Sequence, residues 1–338
     1  MVSLSDIAKR VKLDVSVVSR ALSHKPAQNA KVKTETREFI LQTAAEMGYR
    51  PNRQASFMGK KGDATIFCFM PQISDRLTAD LMYGISAAAR RENFPVTFFQ
   101  GNMDGDFRNF LAGLDDSNHS GVISFPTRAL SDDLKELLIL YHRRRKTLLL
   151  LNPQSNSFGG LPEDGFSNIP HLIMDDAYGG SLAAKHLLEK ECQHFFFTGF
   201  PGQHFRHRFA GYREELARHS VEAVSFDSDD ELKKIVALPG RIGIYADRDT
   251  HAINLIIRLA HLGITPGEKV LLVGNDDKQQ SRLSGLTTIH QPIRQEGELA
   301  VKKLINLIFG GTEENEFIKP YLVVRQSTGN YETEYIVE

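Results

Sequence analysis

From residue 63 onward, short apolar runs alternate with amphipathic stretches, and no other feature of the chain restricts its fold as strongly. The runs are 64–70 (ATIFCFM), 95–99 (PVTFF), 121–125 (GVISF), 147–151 (TLLLL), 194–200 (HFFFTGF), 241–246 (RIGIYA) and 269–274 (KVLLVG). Strands with so little polar alternation are buried on both faces, which is the condition of a parallel sheet. Between them lie helical stretches such as 79–92, where Leu81, Ile85 and Ala88 fall on one face. The 276 residues after position 62 hold too many βαβ units for one small sheet, so two doubly wound lobes are expected.

The first 48 residues have another rhythm. Ser3 followed by Asp6 has the form of a capping box, with Ile7, Ala8 and Val11 as an apolar stripe behind it. Asp14 can cap a second helix, 15–22, whose Val18, Ala21 and Leu22 are available to a core. Pro26 and the polar stretch 27–33 read as a loop. Thr34 can cap a third helix, with Phe39, Ile40, Ala44 and Met47 turned inward and Gly48 as its stop. Three short helices with a tight turn between the first two form a helix-turn-helix unit.

Charge separates the two regions. Residues 1–62 carry 12 Lys+Arg against 5 Asp+Glu, a balance of +7, leaving 29 against 37, or −8, for the rest. A basic head on an acidic body suits a head that meets a polyanion. Hydrophobic content of 41% is that of a globular protein with a real core. No apolar run reaches the ~18–20 residues needed to span a bilayer. The first twenty residues contain no apolar signal-peptide region. Cys68 and Cys192 make neither a metal-spaced pair nor a disulfide framework, so a cytoplasmic location is expected.

The run Leu4-Ser5-Asp6-Ile7-Ala8-Lys9-Arg10, then Val15-Ser16-Val17-Val18-Ser19-Arg20-Ala21-Leu22, resembles the head of the lactose/galactose-repressor (LacI/GalR) family. Thr36-Arg37 and Met47-Gly48-Tyr49-Arg50-Pro51-Asn52 continue the likeness. So do Asp175-Asp176-Ala177-Tyr178-Gly179-Gly180, Arg208-Phe209-Ala210-Gly211-Tyr212, Val273-Gly274-Asn275-Asp276-Asp277 and Thr287-Thr288-Ile289-His290-Gln291-Pro292. The resemblance spans essentially the whole chain. It implies an all-α helix-turn-helix head (1–48), a hinge (49–62) and an α/β two-lobed, periplasmic-binding-protein-like sensor (63–338). The N-lobe would comprise 63–164 and 292–324, and the C-lobe 165–291 and 325–338.

The resemblance further implies that helix 15–22 enters the major groove of DNA, with Val15, Ser16, Val17 and Arg20 toward the bases. Arg suits a bidentate contact to guanine, Ser gives and takes hydrogen bonds, and Val can meet a thymine methyl. Ser3, Ser19 and Tyr49 suit phosphate contacts, which set register. Residues 51–60 correspond to a hinge helix, with Asn52 and Ala55 at DNA and Met58 as the apolar wedge in the minor groove. Ten residues are too few for a stable isolated helix, so the hinge can order on DNA. The loop 23–33 is longer than is usual in the family, and Lys33 stands where a Ser is common.

In the cleft between the lobes, Arg208 and Asp276 match the effector-gripping positions; a guanidinium and a carboxylate can bind vicinal hydroxyls, or pair with each other. Gln291 lies at a crossover. The sequence departs from the family pattern at three further cleft positions: Arg248 replaces an Asn, Asn152 replaces a frequent Asp, and the segment holding Asp75 lacks the usual Asn-Pro and aromatic pair. An added arginine would favour an acidic sugar unless Asp247, Asp249 or Asp276 neutralises it. The expected partners are double-stranded DNA with a pseudo-palindromic operator, a sugar-like effector and a second copy of the chain. No cofactor, metal or catalytic set is expected: the common nucleotide-binding and hydrolase signatures are missing, and the pair His204 and His207 is weak evidence for a metal. Without a leucine heptad at its end the chain is expected to stop at the dimer.

Overall fold

A computed structural model of the chain describes residues 2–22, 31–49, 65–72, 76–101, 105–115, 121–125, 131–144, 147–153, 168–199 and 206–329. Absences noted below refer to these residues.

The head is built from α1 (Leu4–Val11), α2 (Val15–Ala21) and α3 (Thr34–Glu46). The Ser3–Asp6 capping box forms: Asp6 N–H donates to Ser3 Oγ at 3.2 Å and Ser3 N–H to Asp6 Oδ2 at 2.9 Å. Asp14 caps α2, accepting from Ser16 N–H at 2.8 Å. Ile7, Ala8, Val11, Val18, Ala21, Ile40 and Ala44 make one small core, with Leu22, Met47 and Tyr49 packed at its margin. Two expectations fail here. Lys33, not Thr34, is the N-cap of α3, and it makes no side-chain cap. Phe39 is 53% exposed, because the inward line of α3 runs through Ile40 and Ala44 and Phe39 sits about 100° of helix rotation off it. Gly48 ends the helix with φ +66°, a conformation open to glycine at little cost.

The sensor holds two six-stranded sheets. The first has the order β11-β5-β4-β3-β1-β2, from β1 (Ile66–Pro71), β2 (Val96–Gly101), β3 (Gly121–Ser124), β4 (Leu148–Leu151), β5 (His171–Met174) and β11 (Glu316–Ile318), all parallel. The second has the order β12-β10-β9-β8-β6-β7, from β6 (His194–Thr198), β7 (Ala223–Ser225), β8 (Ile242–Ala246), β9 (Val270–Asn275), β10 (Thr287–His290) and β12 (Tyr321–Val323). Here β12 runs antiparallel to β10, so this sheet is not wholly parallel as expected. Strand β12 is reached from β11 of the other sheet across only two residues and adds to the edge beside β10.

Each sheet is covered on both sides, as its apolar runs require. Ile66, Cys68 and Met70 face one core with Leu81, Ile85 and Ala88 of α4 (Arg76–Arg91), while Phe69 faces another with Phe107 and Phe110 of α5 (Gly105–Asp115). A further helix, α6 (Asp132–Arg143), adds Leu134 and Leu138 to that second face. The second sheet lies between α7 (Asp176–Glu189) and α8 (Arg206–Arg218) on one face and α9 (Asp229–Ala237) and α10 (Asp249–His261) on the other. A short α11 (Gln279–Leu283) precedes β10.

The chain crosses between the sheets three times: after β5, between β10 and α12 (Ile293–Ile308), and between β11 and β12. Because β5 pairs with β4, the first lobe continues through Met174 rather than ending at 164. Because β12 pairs with β10, the return to the second lobe comes before residue 321 rather than after 324. None of the described helices is long and apolar enough to cross a membrane.

Candidate functional site

The head offers a polar face on α2. Val18 and Ala21 fill the inward positions, leaving Val15 43% exposed and Ser16 and Ser19 exposed beside it. Arg20 lies back along the helix, donating from Nε to the Ser16 carbonyl and from Nη2 to Ser16 Oγ, both at 3.0 Å. Such exposed bonds are each worth about 1 kcal/mol or less, so they orient the guanidinium without locking it. Val17 is half-buried against the head core. The Ser3 hydroxyl is occupied in its capping box, donating to Asp6 Oδ2 at 2.7 Å. Tyr49 is half-buried, and burial raises its phenol above the ordinary value. Asn52, Ala55 and Met58 of the hinge lie outside the described residues, as does Asp75 of the cleft.

In the sensor, polar side chains gather where the strands of both sheets end, the crevice in which open α/β sheets bind ligands. That the two carboxyl edges face each other follows from Arg76, at the start of α4, which donates from Nη1 to the Asp277 carbonyl at 3.1 Å.

Arg208 is buried in the first turn of α8. Its Nε donates to Asp176 Oδ1 at 2.9 Å, its Nη1 bonds the Asp247 carbonyl, and Asp276 Oδ1 lies 3.7 Å away. Two glycines permit this placement. A Cβ on Gly180 of α7 would stand 2.0 Å from the Arg208 carbonyl, and one on Gly211 of α8 would stand 1.9 Å from the Ala177 carbonyl. Only two bare backbones can pack that closely, and the packing sets Arg208 beside Asp176.

Asp276 follows β9 with φ +124°, a backbone setting that side-chain-bearing residues rarely adopt. Its N–H donates to the Ile289 carbonyl at 2.9 Å. Its Oδ1 accepts from Gln291 Nε2 at 3.0 Å and from Asn275 Nδ2 at 3.2 Å. Burial pushes its carboxyl up to about 6, although Arg208 opposes the rise. The neighbouring Asp277 behaves oppositely: burial works against its charge, but His290 at 2.9 Å and Arg325 at 2.6 Å outweigh it and hold it at about 2. Asp249 fixes the loop from inside, its carboxylate accepting from Thr288 Oγ1 at 2.6 Å, Ser281 Oγ at 2.5 Å and Lys278 N–H at 2.8 Å.

Thus Arg208, Asp276 and Gln291 come together. Arg248 has Nε 3.7 Å from Oδ2 of Asp247, the residue whose carbonyl accepts from Arg208. Asn152 takes a structural place, accepting from Met174 N–H at 2.7 Å and donating to Glu296 Oε1 at 2.7 Å. Asp176, which holds Arg208, escaped the sequence reading although it belongs to a quoted motif, and Asp247 was named there only as a partner for Arg248. Glu296 escaped it too. Its signal was legible: it occupies an inward position of α12 along with Ile293, Gly297, Ala300 and Leu304.

A three-helix DNA-reading head followed by a two-lobed ligand-binding body defines a class, the ligand-responsive transcription regulators. Residues 3–52 match the family described as bacterial regulatory proteins, lacI family, and residues 184–328 match a periplasmic binding protein-like domain. The ribose operon repressor of Halalkalibacterium halodurans is 25% identical over 91% of this chain and 91% of its own length. The HTH-type transcriptional repressor PurR of Vibrio parahaemolyticus is 23% identical over 97% and 98%. A lac repressor dimer bound to operator and the anti-inducer ONPF superposes with a TM-score of 0.65 at 22% identity, covering 97% of this chain and 99% of that one. A CelR–cellobiose complex gives 0.63 at 19%, covering 97% and 100%. The head thus matches the lacI family of bacterial regulatory proteins, the chain resembles repressors of that family over nearly its whole length, and it is a DNA-binding transcription regulator.

Proposed function

We propose that the chain is a cytoplasmic, homodimeric repressor whose two heads read the halves of a pseudo-palindromic operator, and whose affinity for DNA is set by a sugar or sugar derivative held between the lobes. The observation that carries this reading is the exposed Val15, Ser16 and Ser19, with half-buried Arg20 beside them, on a helix whose core positions are already filled. A packed head has no structural use for such a face, whereas a DNA groove does. In this reading Arg20 swings from Ser16 to a guanine edge, Val15 and Ser16 meet neighbouring bases, Val17 supports the face, and Ser19 and Tyr49 take phosphates. Ser3 can contribute only by leaving its capping box. Asn52 and Ala55 contact DNA and Met58 wedges the minor groove, on the strength of the family resemblance. Two linked heads gain affinity from effective concentration, which a single small head cannot supply.

In the cleft, Arg208, Asp276 and Gln291 are the effector's hydrogen-bonding set, with Asp75 and Asn152 at the N-lobe side. The relatives' names point to sugars: ribose operon and cellobiose. The closeness of Arg248 to Asp247 favours a neutral ligand over an acidic one, because the added cation is already answered. The set holds no arrangement suited to turnover, and none is expected.

Binding to a random duplex library by the purified full chain, followed by sequencing, tests the DNA half. Enrichment of an inverted repeat supports it, and uniform recovery overturns it. Calorimetric titration with ribose, cellobiose and glucuronate tests the other half. Tightest binding of glucuronate would reject the neutral effector.

A further inference from the structure

Glu296 stands one turn into α12, next to the second crossover between the lobes, and is wholly buried. Its Oε1 accepts from Asn152 Nδ2 at 2.7 Å, and Asn152 Oδ1 in turn accepts the N–H of Met174, the last residue before the first crossover. One side chain, through Asn152, therefore ties the start of α12, where the second crossover arrives, to the end of β5, where the first begins. Its other oxygen, Oε2, is buried with no partner.

Every neighbouring element withholds a compensating charge. From α7 comes the Asp176 carboxylate, of the same sign. From α4 come Leu81 and Ile85, packed against Gly297. The cations of α4 do not answer it: Arg90 is exposed, Arg91 pairs with Glu298 and Arg76 with Asp80. The strands β3 and β4 present Ile123, Leu149 and Leu151 to the same core. On its own helix, Arg294 lies 3.9 Å over the Tyr83 ring. A carboxylate so placed would leave a full charge buried and unpaired, whereas a neutral acid leaves only one unsatisfied hydroxyl, a far smaller cost.

We propose that Glu296 is a proton-binding site at the lobe junction: as the neutral acid it lets α12 pack dry against the ends of β4 and β5, whereas its ionisation, although it strengthens the one bond from Asn152, leaves a buried charge that only water or a shift of α12 can answer, so that the setting of the lobes follows pH. Burial, reinforced by Asp176 and opposed by Asn152, pushes its carboxyl up to about 8. The transition thus falls near neutrality. This site shares Asn152 with the proposed effector set, but its tests use neither operator nor effector.

Two measurements on the full-length protein decide it. Infrared difference spectra between the wild type and Glu296→Gln at pH 7 should show a protonated carboxyl band that the variant lacks. Hydrogen exchange of the peptide holding Met174, corrected for the intrinsic rate, should lose protection by about tenfold or more in the wild type from pH 6 to 9, and scarcely at all in the variant. Absence of the band, or the same pH dependence in both proteins, overturns the proposal. Should Glu296→Gln fail to fold, infrared titration of the wild type alone decides: a midpoint near 8 supports the site, and one near the ordinary 4.5 ends it.

Discussion

Arg208 is 7% exposed and cannot shed its charge, so its surroundings must answer it. Asp176, the Asp247 carbonyl and Asp276 do so, in a cluster that an incoming hydroxyl can join by exchanging one bond for another. Asp276→Ala should abolish effector binding in calorimetry while leaving operator affinity within about twofold, since only the ligand set loses a member. Arg20→Ala should do the reverse. Losing a bidentate base contact costs about 1–3 kcal/mol per half-site, so operator affinity measured by fluorescence anisotropy should fall at least tenfold while effector affinity stays unchanged. Glu296 gives a pH dependence of definite sign. Its carboxyl is raised from 4.5 to about 8 in the fold, so the stability it contributes is fully present below 4.5 and is lost as pH rises through 8. Chemical denaturation should therefore find Glu296→Gln more stable than the wild type at pH 8.5, with the gap closing toward pH 5. Asp277 has the opposite sign: its contribution is present above the ordinary carboxyl value and disappears as pH falls toward 2.

At the scale of single elements, short helices depend on their ends. The seven-residue α2 has Asp14 as its only side-chain cap, and the Ser16 hydrogen bonds hold that carboxyl below its ordinary value. Asp14→Ala should cost about 1 kcal/mol of head stability, visible as a lower melting temperature of the head transition in calorimetry. The α7–α8 pair depends on its middle instead. Because a methyl at position 211 would collide with the backbone of Ala177, Gly211→Ala must push the helices apart. We expect a loss of about 2 kcal/mol or more in sensor stability by urea denaturation, accompanied by weaker effector binding as Arg208 retreats from Asp176.

At the scale of the whole molecule, head and hinge together (1–62) carry a balance of +7 and the body −8. Attraction of the head to phosphates is screened by salt, whereas the buried cleft is not, so raising salt from 50 to 200 mM should weaken DNA binding by orders of magnitude and effector binding hardly at all. The repeated strand order, 2-1-3-4-5 in each lobe, places both carboxyl edges against the crossovers. A small change at the junction can therefore alter the angle between two otherwise rigid lobes.

Much of this was legible in the residues themselves. All seven apolar runs became strands, because a run buried on both faces admits few other fates. Ser3, Asp6, Asp14 and Gly48 marked helix ends because capping is local chemistry between near neighbours. Strands such as β5, β7, β11 and β12 were not legible, being short or polar segments that gain their partners only from distant parts of the chain. Nor did sequence show that Phe39 lies outside the core, which of Asp247, Asp249 and Asp276 Arg248 leans on, or that Glu296 is shut away without a cation. What sequence determined alone were the periodicities, the caps and the charge of the head, which act over a few residues. What only the tertiary structure decided was which side chains lose their water together, because desolvation depends on neighbours that lie far apart along the chain.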